Sequence, residues 1–198
     1  MLRGGRGLRM VVIFHVRRLT DGMRRGSLRD VKQKHNKNWL DLVIELMATG
    51  IYLGRSPFAP GTFGTLLGIP LAYGFFFLGP YFYMLATLLL VFFAVWVAER
   101  YEKTNHRHDP GEVVIDEVVG YLISFLWLPM TWQSFVGAFL FFRLFDIWKP
   151  VPVRTVDQKI PGGFGTVMDD VAAGLLANFC LQIIYTQTSW LGAQLHGF

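Results

Sequence analysis

The sequence predicts an all-α fold, a polytopic membrane helical bundle, and three observations carry that expectation. Of 198 residues, 53% are hydrophobic and 17% charged, against about 45–50% and 25% in an ordinary soluble domain. The body of the chain holds three long runs without a charge, 56–98, 118–142 and 171–195. No stretch sustains the apolar–polar alternation of a half-buried strand. A mean hydropathy of +0.38 with eighteen Phe and six Trp excludes a disordered or collagen-like chain. A single cysteine, Cys180, excludes an intramolecular disulfide framework and any multi-cysteine metal site.

Charge divides the chain at about residue 38. Residues 1–38 carry eleven Lys/Arg and two acids, whereas residues 39–198 carry eight basic and twelve acidic residues. The first segment reads as a poorly ordered basic tail. Its one apolar run, Met10 to Phe14, is shorter than the roughly 7–15 residues of a signal-peptide core. Such a tail favours the cytoplasmic face and anionic headgroups. No nucleic-acid partner is expected, because the body is acidic and holds no nucleic-acid module. Residues 39–198 read as one membrane domain.

The first uncharged run, 43 residues between Arg55 and Glu99, is too long for one crossing of a core about 30 Å thick. Gly79-Pro80 near its middle stops one helix and opens another, predicting a hydrophobic hairpin of helices at 65–79 and 81–99. The second run has Pro129, Thr131, Gln133 and Ser134 at its centre. That predicts a bent or re-entrant pair of helices near 118–128 and 133–148. The most apolar part of the third run, Val171 to Tyr185, predicts a C-terminal membrane helix. A soluble bundle with an unusually apolar core is the competing reading. Against it stand the crowded aromatics Tyr73, Phe75, Phe76, Phe77, Tyr81, Phe82 and Tyr83, with no polar stripe on the hairpin.

The acids left in the body gather at the ends of these runs, where their cost near a bilayer calls for a function. In Asp109-Pro-Gly-Glu112-Val-Val-Ile-Asp116-Glu117, Glu112 and Asp116 are four residues apart and would share a helical face. A cation between such carboxylates relieves their repulsion, and all-oxygen ligands favour Mg²⁺ over zinc. A solvated helix start is the plainer account. In Arg143-Leu-Phe-Asp146-Ile-Trp-Lys149-Pro150, the spacing flanks a carboxylate with two cations on one face, either an ion-pair ladder or a phosphate-binding edge, with Arg154 and Asp157 following. Gly162-Gly-Phe-Gly165-Thr166 precedes Asp169-Asp170 and reads as an anion-binding loop, or as a loop with Asp169 as a helix cap. Pro57 to Thr65 reads as a Gly/Thr loop opening the first membrane helix. His106 and His108 read as surface loop residues.

Taken in order, Gly54-Arg-Ser-Pro57 with Pro60-Gly-Thr-Phe-Gly-Thr65, Ile115-Asp-Glu-Val-Val-Gly120, Phe142-Arg-Leu-Phe-Asp-Ile-Trp-Lys-Pro150, and Gly162-Gly-Phe-Gly with Asp169-Asp-Val-Ala-Ala-Gly174 resemble the bacterial phosphatidylglycerophosphatase A family. The resemblance covers residues 48–186. It implies a Mg²⁺-dependent inner-membrane phosphatase that converts phosphatidylglycerophosphate, a phospholipid, to phosphatidylglycerol and phosphate. On that resemblance Asp116, Glu117, Asp146, Asp169 and Asp170 supply metal ligands and one general base. Lys149, Arg143 and Arg154 meet phosphate oxygens, and Thr62, Gly64 and Thr65 position the headgroup. A phosphatase of the same fold acting on another phosphomonoester is the nearest alternative; a non-enzymatic membrane subunit or transporter is the more distant one.

The shared site imposes a geometric condition. One straight helix through 118–142 would hold Asp116 and Asp146 about 45 Å apart, across the whole bilayer. Either the run turns back near Pro129 to Ser134 or one of the two acidic groups is not catalytic; the turn is the expectation, placing all motifs on one face, expected to be cytoplasmic.

Overall fold

In the computed structural model the described residues are 38–107, 110–151, 153 and 162–192. The predicted tail, with Asp109, His108, Arg154 and Asp157, lies outside them, Asn38 of the tail excepted. By compactness the chain divides into Met1–Leu42 and Val43–Phe198. Of the first unit the described part is the opening of helix α1 (Trp39–Ala48). The second holds a 3₁₀ turn (Leu53–Arg55) and helices α2 (Pro60–Phe76), α3 (Pro80–Asn105), α4 (Ile115–Ser124), α5 (Trp132–Trp148) and α6 (Gly163–Gln187). Among the described residues there is no strand, and the fold is an all-α bundle.

Helices α3 and α6 are the two long and apolar enough to cross a membrane. At 26 and 25 residues they reach about 38 Å. Their outer surfaces agree: Leu88, Leu89, Phe92, Trp96, Leu175 and Phe179 are all exposed. Such a continuous apolar exterior needs hydrocarbon rather than water around it. Helices of this length and composition suit a membrane protein.

The predicted hairpin is present, but its first helix starts five residues early. Pro60 takes the first helical position, where its missing N–H costs nothing. The Gly/Thr stretch read as a loop is therefore helical, and its glycines serve packing. A methyl on Gly64 would meet Val114 and one on Gly68 would meet Tyr121. Small residues thus bring α2 close to α4. After Gly79 (φ +86°), Pro80 opens α3 in the same way.

The second run turns back as required. Helix α4 stops at Ser124, the chain reverses through residues 125–131, and α5 leaves from Thr131, whose hydroxyl accepts from the Ser134 amide at 3.2 Å. At ten residues, about 15 Å, α4 does not cross a bilayer. It is nonetheless the centre of the bundle, packed by α2, α3, α5 and α6 and buried at every position except Glu117. Backbone ending inside an apolar region needs protein partners for its carbonyls. Helix α6 supplies them: Asn178 Nδ2 donates to the Ser124 and Leu126 carbonyls at 3.1 and 2.8 Å, and Gln182 Nε2 donates to Leu126 at 3.0 Å. Tyr83 on α3 donates to the Leu122 carbonyl at 3.0 Å. Asn178→Leu removes two of these donors and is expected to cost about 1–3 kcal/mol, read as a lower melting temperature in detergent micelles. An unchanged melting temperature would show that the half-helix end does not depend on α6.

The last helix begins at Gly163, eight residues before the apolar stretch that predicted it. The Gly162–Gly165 segment is its cap and first turn rather than a loop. A methyl on Gly163 would collide with the backbone of Glu99, so this glycine lets α6 cross α3. Tertiary packing here overrides the poor helix propensity of glycine. Further along, a methyl on Gly174 would strike the Gly120 carbonyl, and one on Gly120 would strike the Phe142 ring. This contact fixes α4 against both α5 and α6.

Candidate active site

The starts of α2, α4 and α6 and the end of α5 meet around one cavity of about 290 Å³. Asp116 and Glu117 enter it from the first turn of α4, Arg143 and Asp146 from the last turns of α5, and Asp169 and Asp170 from the second turn of α6. Lys149 caps α5 in a left-handed conformation (φ +45°), which carries its side chain to the same wall. Ala59, Pro60 and Gly61 close the α2 side. Three helix N-termini therefore surround the acids, and their dipoles favour negative charge there.

Within this cavity the carboxylates are organised in two ways. Arg143 Nη1 donates to Asp146 Oδ2 at 2.5 Å, and Lys149 Nζ donates to Asp169 Oδ2 at 2.7 Å. Asp116, Glu117 and Asp170 form the second group, with one oxygen from each within 4.8 Å of the others. Asp116 and Asp170 are buried, and Glu117 Oε2 is buried without a hydrogen-bond partner. The lining thus contains five carboxylates and two cations. Buried like charges at this spacing call for protons or a cation. Burial first, then the Glu117 charge, hold the Asp116 carboxyl well above its usual range. Burial pushes Glu117 up to about 8; the hydrogen bond from Asp116 and the Arg143 charge oppose the rise, while Asp170 and Asp146 add to it.

A stability signature follows for the metal-free protein. With Glu117 at about 8 folded and 4.5 unfolded, the folded state holds the extra proton between those values, so stability falls as pH rises from about 4.5 to 8. Melting temperature in micelles with chelator is expected to drop across that window. A divalent cation should recover most of the loss at the alkaline end. A flat profile would mean that Glu117 is not buried against other acids.

The fold places several residues differently from the expectations drawn from spacing and from the family resemblance. Glu112 does not share a helical face with Asp116, because α4 starts only at Ile115; instead Glu112 Oε2 accepts from Arg55 Nε at 3.3 Å, and Arg55 also pairs with Glu45. The adjacent acids Asp116 and Glu117 both face the site instead. The Arg143–Asp146 half of the ladder forms, but Lys149 leaves the helical register and bonds Asp169. Asp169 is not a cap but the seventh residue of α6. Thr65 does not reach the cavity: it is fully buried, and its hydroxyl donates to the Gly61 carbonyl at 2.8 Å. Thr62 does not line it either, and Gly64 packs on Val114 beside Glu117 Oε2. His106 is an exposed helix cap.

Two contributors were not singled out as site residues by sequence. Gly61 abuts Glu117 Oε1 and Arg143 Nη1, so a methyl there would collide with both. Thr166 lines the cavity and its hydroxyl donates to Glu102 Oε1 at 3.0 Å, tying α6 to α3. Gly61 lay in the motif that was quoted, and its role was hidden because only the folded contact shows what it faces. Glu102 carries no local signal.

An acidic triad flanked by a paired arginine and lysine, at one end of two helices long and apolar enough to cross a membrane, has the groups that phosphoryl-transfer chemistry draws on. The chain belongs to the phosphatidylglycerophosphatase A family, whose sequence model matches residues 46–185. It is 37% identical over 140 residues to phosphatidylglycerophosphatase A of Escherichia coli K12, covering 70% of this chain and 81% of that protein. The Haemophilus influenzae Rd protein of the same name is 37% identical over 136 residues, 68% and 83% of the two chains. A Bacteroides thetaiotaomicron protein with the provisional name phosphatidylinositol-3-phosphatase is 41% identical over 138 residues, 66% and 86%. No solved structure gives a significant match.

Proposed function

We propose that this protein is a Mg²⁺-dependent phosphatase that hydrolyses phosphatidylglycerophosphate to phosphatidylglycerol and phosphate, with its cavity on the cytoplasmic side of a bacterial inner membrane. The observation that carries the reading is the triad of buried Asp116, half-buried Glu117 and buried Asp170, with one oxygen from each within 4.8 Å of the others. Its donor set fits a hard divalent cation: oxygen only, an orphaned Glu117 Oε2, and more negative charge than Arg143 and Lys149 neutralise. Asp116, Glu117 and Asp170 would hold the ion, which when bound supplies charge neutralisation at phosphate oxygens and acidifies a water.

The remaining steps fall to the chain's own groups. Arg143 offers a planar fork of donors to the phosphate, and Asp146 fixes its direction. Lys149 adds a point charge oriented by Asp169. Asp146 and Asp169 are the acceptors next to the triad for a proton leaving the attacking water. Arg154 lies outside the described residues, so its expected phosphate contact remains part of the proposal. The names of the Escherichia and Haemophilus relatives support the lipid substrate.

The Bacteroides relative's name favours a second reading, a phosphoinositide monoester taken by the same centre. Phosphate release in mixed micelles, compared on phosphatidylglycerophosphate, phosphatidylinositol 3-phosphate and phosphatidic acid with and without chelator, separates the two. The proposal expects the first lipid to give the highest kcat/KM and chelator to abolish turnover. Preference for another lipid overturns the substrate assignment, and turnover persisting in chelator overturns the metal.

A further inference from the structure

The face where α3 and α6 diverge carries a groove of about 470 Å³ that the phosphatase centre does not use. Its walls are Met84 to Val95 on α3 and Phe164 to Leu175 on α6, and its floor is Ile123 of α4 and Leu126 just beyond it. Each wall advances about 16 Å along its helix. The lining is apolar apart from Thr87, whose buried hydroxyl lacks a partner. The groove begins level with the cavity: Phe164 and Met168 line the groove, while Thr166 and Asp169, between and beside them on the same two turns, line the cavity.

From this placement we infer that the α3–α6 groove seats one acyl chain of the phospholipid whose headgroup enters the acidic cavity. The inference rests on the proposed lipid substrate and names how its tail is recognised. Three features favour an acyl chain over a helix of another protein. The groove lies in the crevice between the two helices long and apolar enough to cross a membrane, with Ile123 and Leu126 as its floor. Its axis follows the direction in which a lipid tail descends from a headgroup at the bilayer surface. Its upper end adjoins the cavity through shared turns of α6, so a lipid with its phosphate beside Asp170 has a path for its chain along Met168 and Val171. Apolar burial along this path would supply binding energy remote from the reacting phosphate, which can hold the headgroup in register.

The test is to fill the groove from half-buried wall positions at the margin of the core. Val91→Trp and Val171→Trp are compared with Leu140→Trp, a control on the exposed face of α5. Phosphate release is followed from dioleoyl and from dihexanoyl phosphatidylglycerophosphate in mixed micelles. The expected result is a fall of about tenfold or more in kcat/KM for the dioleoyl lipid in either groove variant. The dihexanoyl lipid and the control should be unchanged. Equal loss on both lipids, or loss on neither, overturns the inference. If the unaltered protein releases no phosphate from either lipid, the substrate reading fails instead. A second readout is independent of turnover: phosphatidylglycerol with a diazirine along one acyl chain should label residues 84–95 and 164–175, with competition by unlabelled phosphatidylglycerol. Labelling spread evenly over the apolar exterior would show an ordinary lipid annulus and overturn the acyl seat.

Discussion

Replacing Asp116 by Asn is expected to lower phosphate release at least about 100-fold while raising the melting temperature of the metal-free protein. The two changes have one cause. The amide keeps an oxygen for the Glu117 N–H, which bonds Asp116 Oδ1 at 3.0 Å, so local structure survives. It removes a buried titratable carboxyl from beside Glu117 and Asp170, so the metal-free fold no longer bears the cost of keeping that group uncharged. It also removes an oxygen of the proposed cation site, and a change even to a residue that only orients metal ligands costs about 10–100-fold. Glu117→Gln should act in the same direction, because the Oε2 atom lacks a partner without a cation. Added Mg²⁺ should raise the melting temperature of the original protein and leave both variants unmoved. A variant that keeps its turnover, or keeps its stabilisation by Mg²⁺, would remove that carboxylate from the site.

The second large effect comes from a residue that carries no chemistry. Gly174→Ala is expected to destabilise the protein by about 1–3 kcal/mol or more and to abolish most of the activity. The added methyl would strike the Gly120 carbonyl, which belongs to backbone and cannot rotate away. To make room α6 must retreat from α4, separating Asp170 from Asp116 and Glu117. Gly74→Ala is the matched control: a methyl there meets nothing within 4 Å, and the substitution should stabilise α2 by up to about 1 kcal/mol. Melting temperature and phosphate release in the same micelles read both. Equal tolerance of the two alanines would mean that α4 and α6 are not held at this crossing.

Much of the site was legible because its chemistry is conspicuous in an apolar chain. Asp116, Glu117, Asp146, Asp169 and Asp170 are isolated at the ends of uncharged runs, and a cavity shared by Asp116 and Asp146 predicted a reversal near Pro129 to Ser134, which the chain makes at residues 125–131. The packing of glycine was less legible. Gly61, Gly64 and Gly163 have the composition of loops, yet each lies in a helix because a neighbouring helix presses against it. Helix limits at Pro60 and Gly163 shifted for that reason. Lys149 was assigned to a helical register that its left-handed backbone leaves.

The sequence by itself determined an all-α membrane chain, the positions of its turns and the acidic character of its site. These follow from local quantities: the length of uncharged runs, the position of proline, and the cost of charge near hydrocarbon. Tertiary structure alone decided which carboxylates form the triad and which pair with cations. It also decided that Thr65 is enclosed while Thr166 lines the cavity, and that Glu112 serves Arg55 on another wall. Those outcomes depend on how closely backbones approach, and that distance is set at Gly120, Gly163 and Gly174 by contacts between residues far apart in the chain.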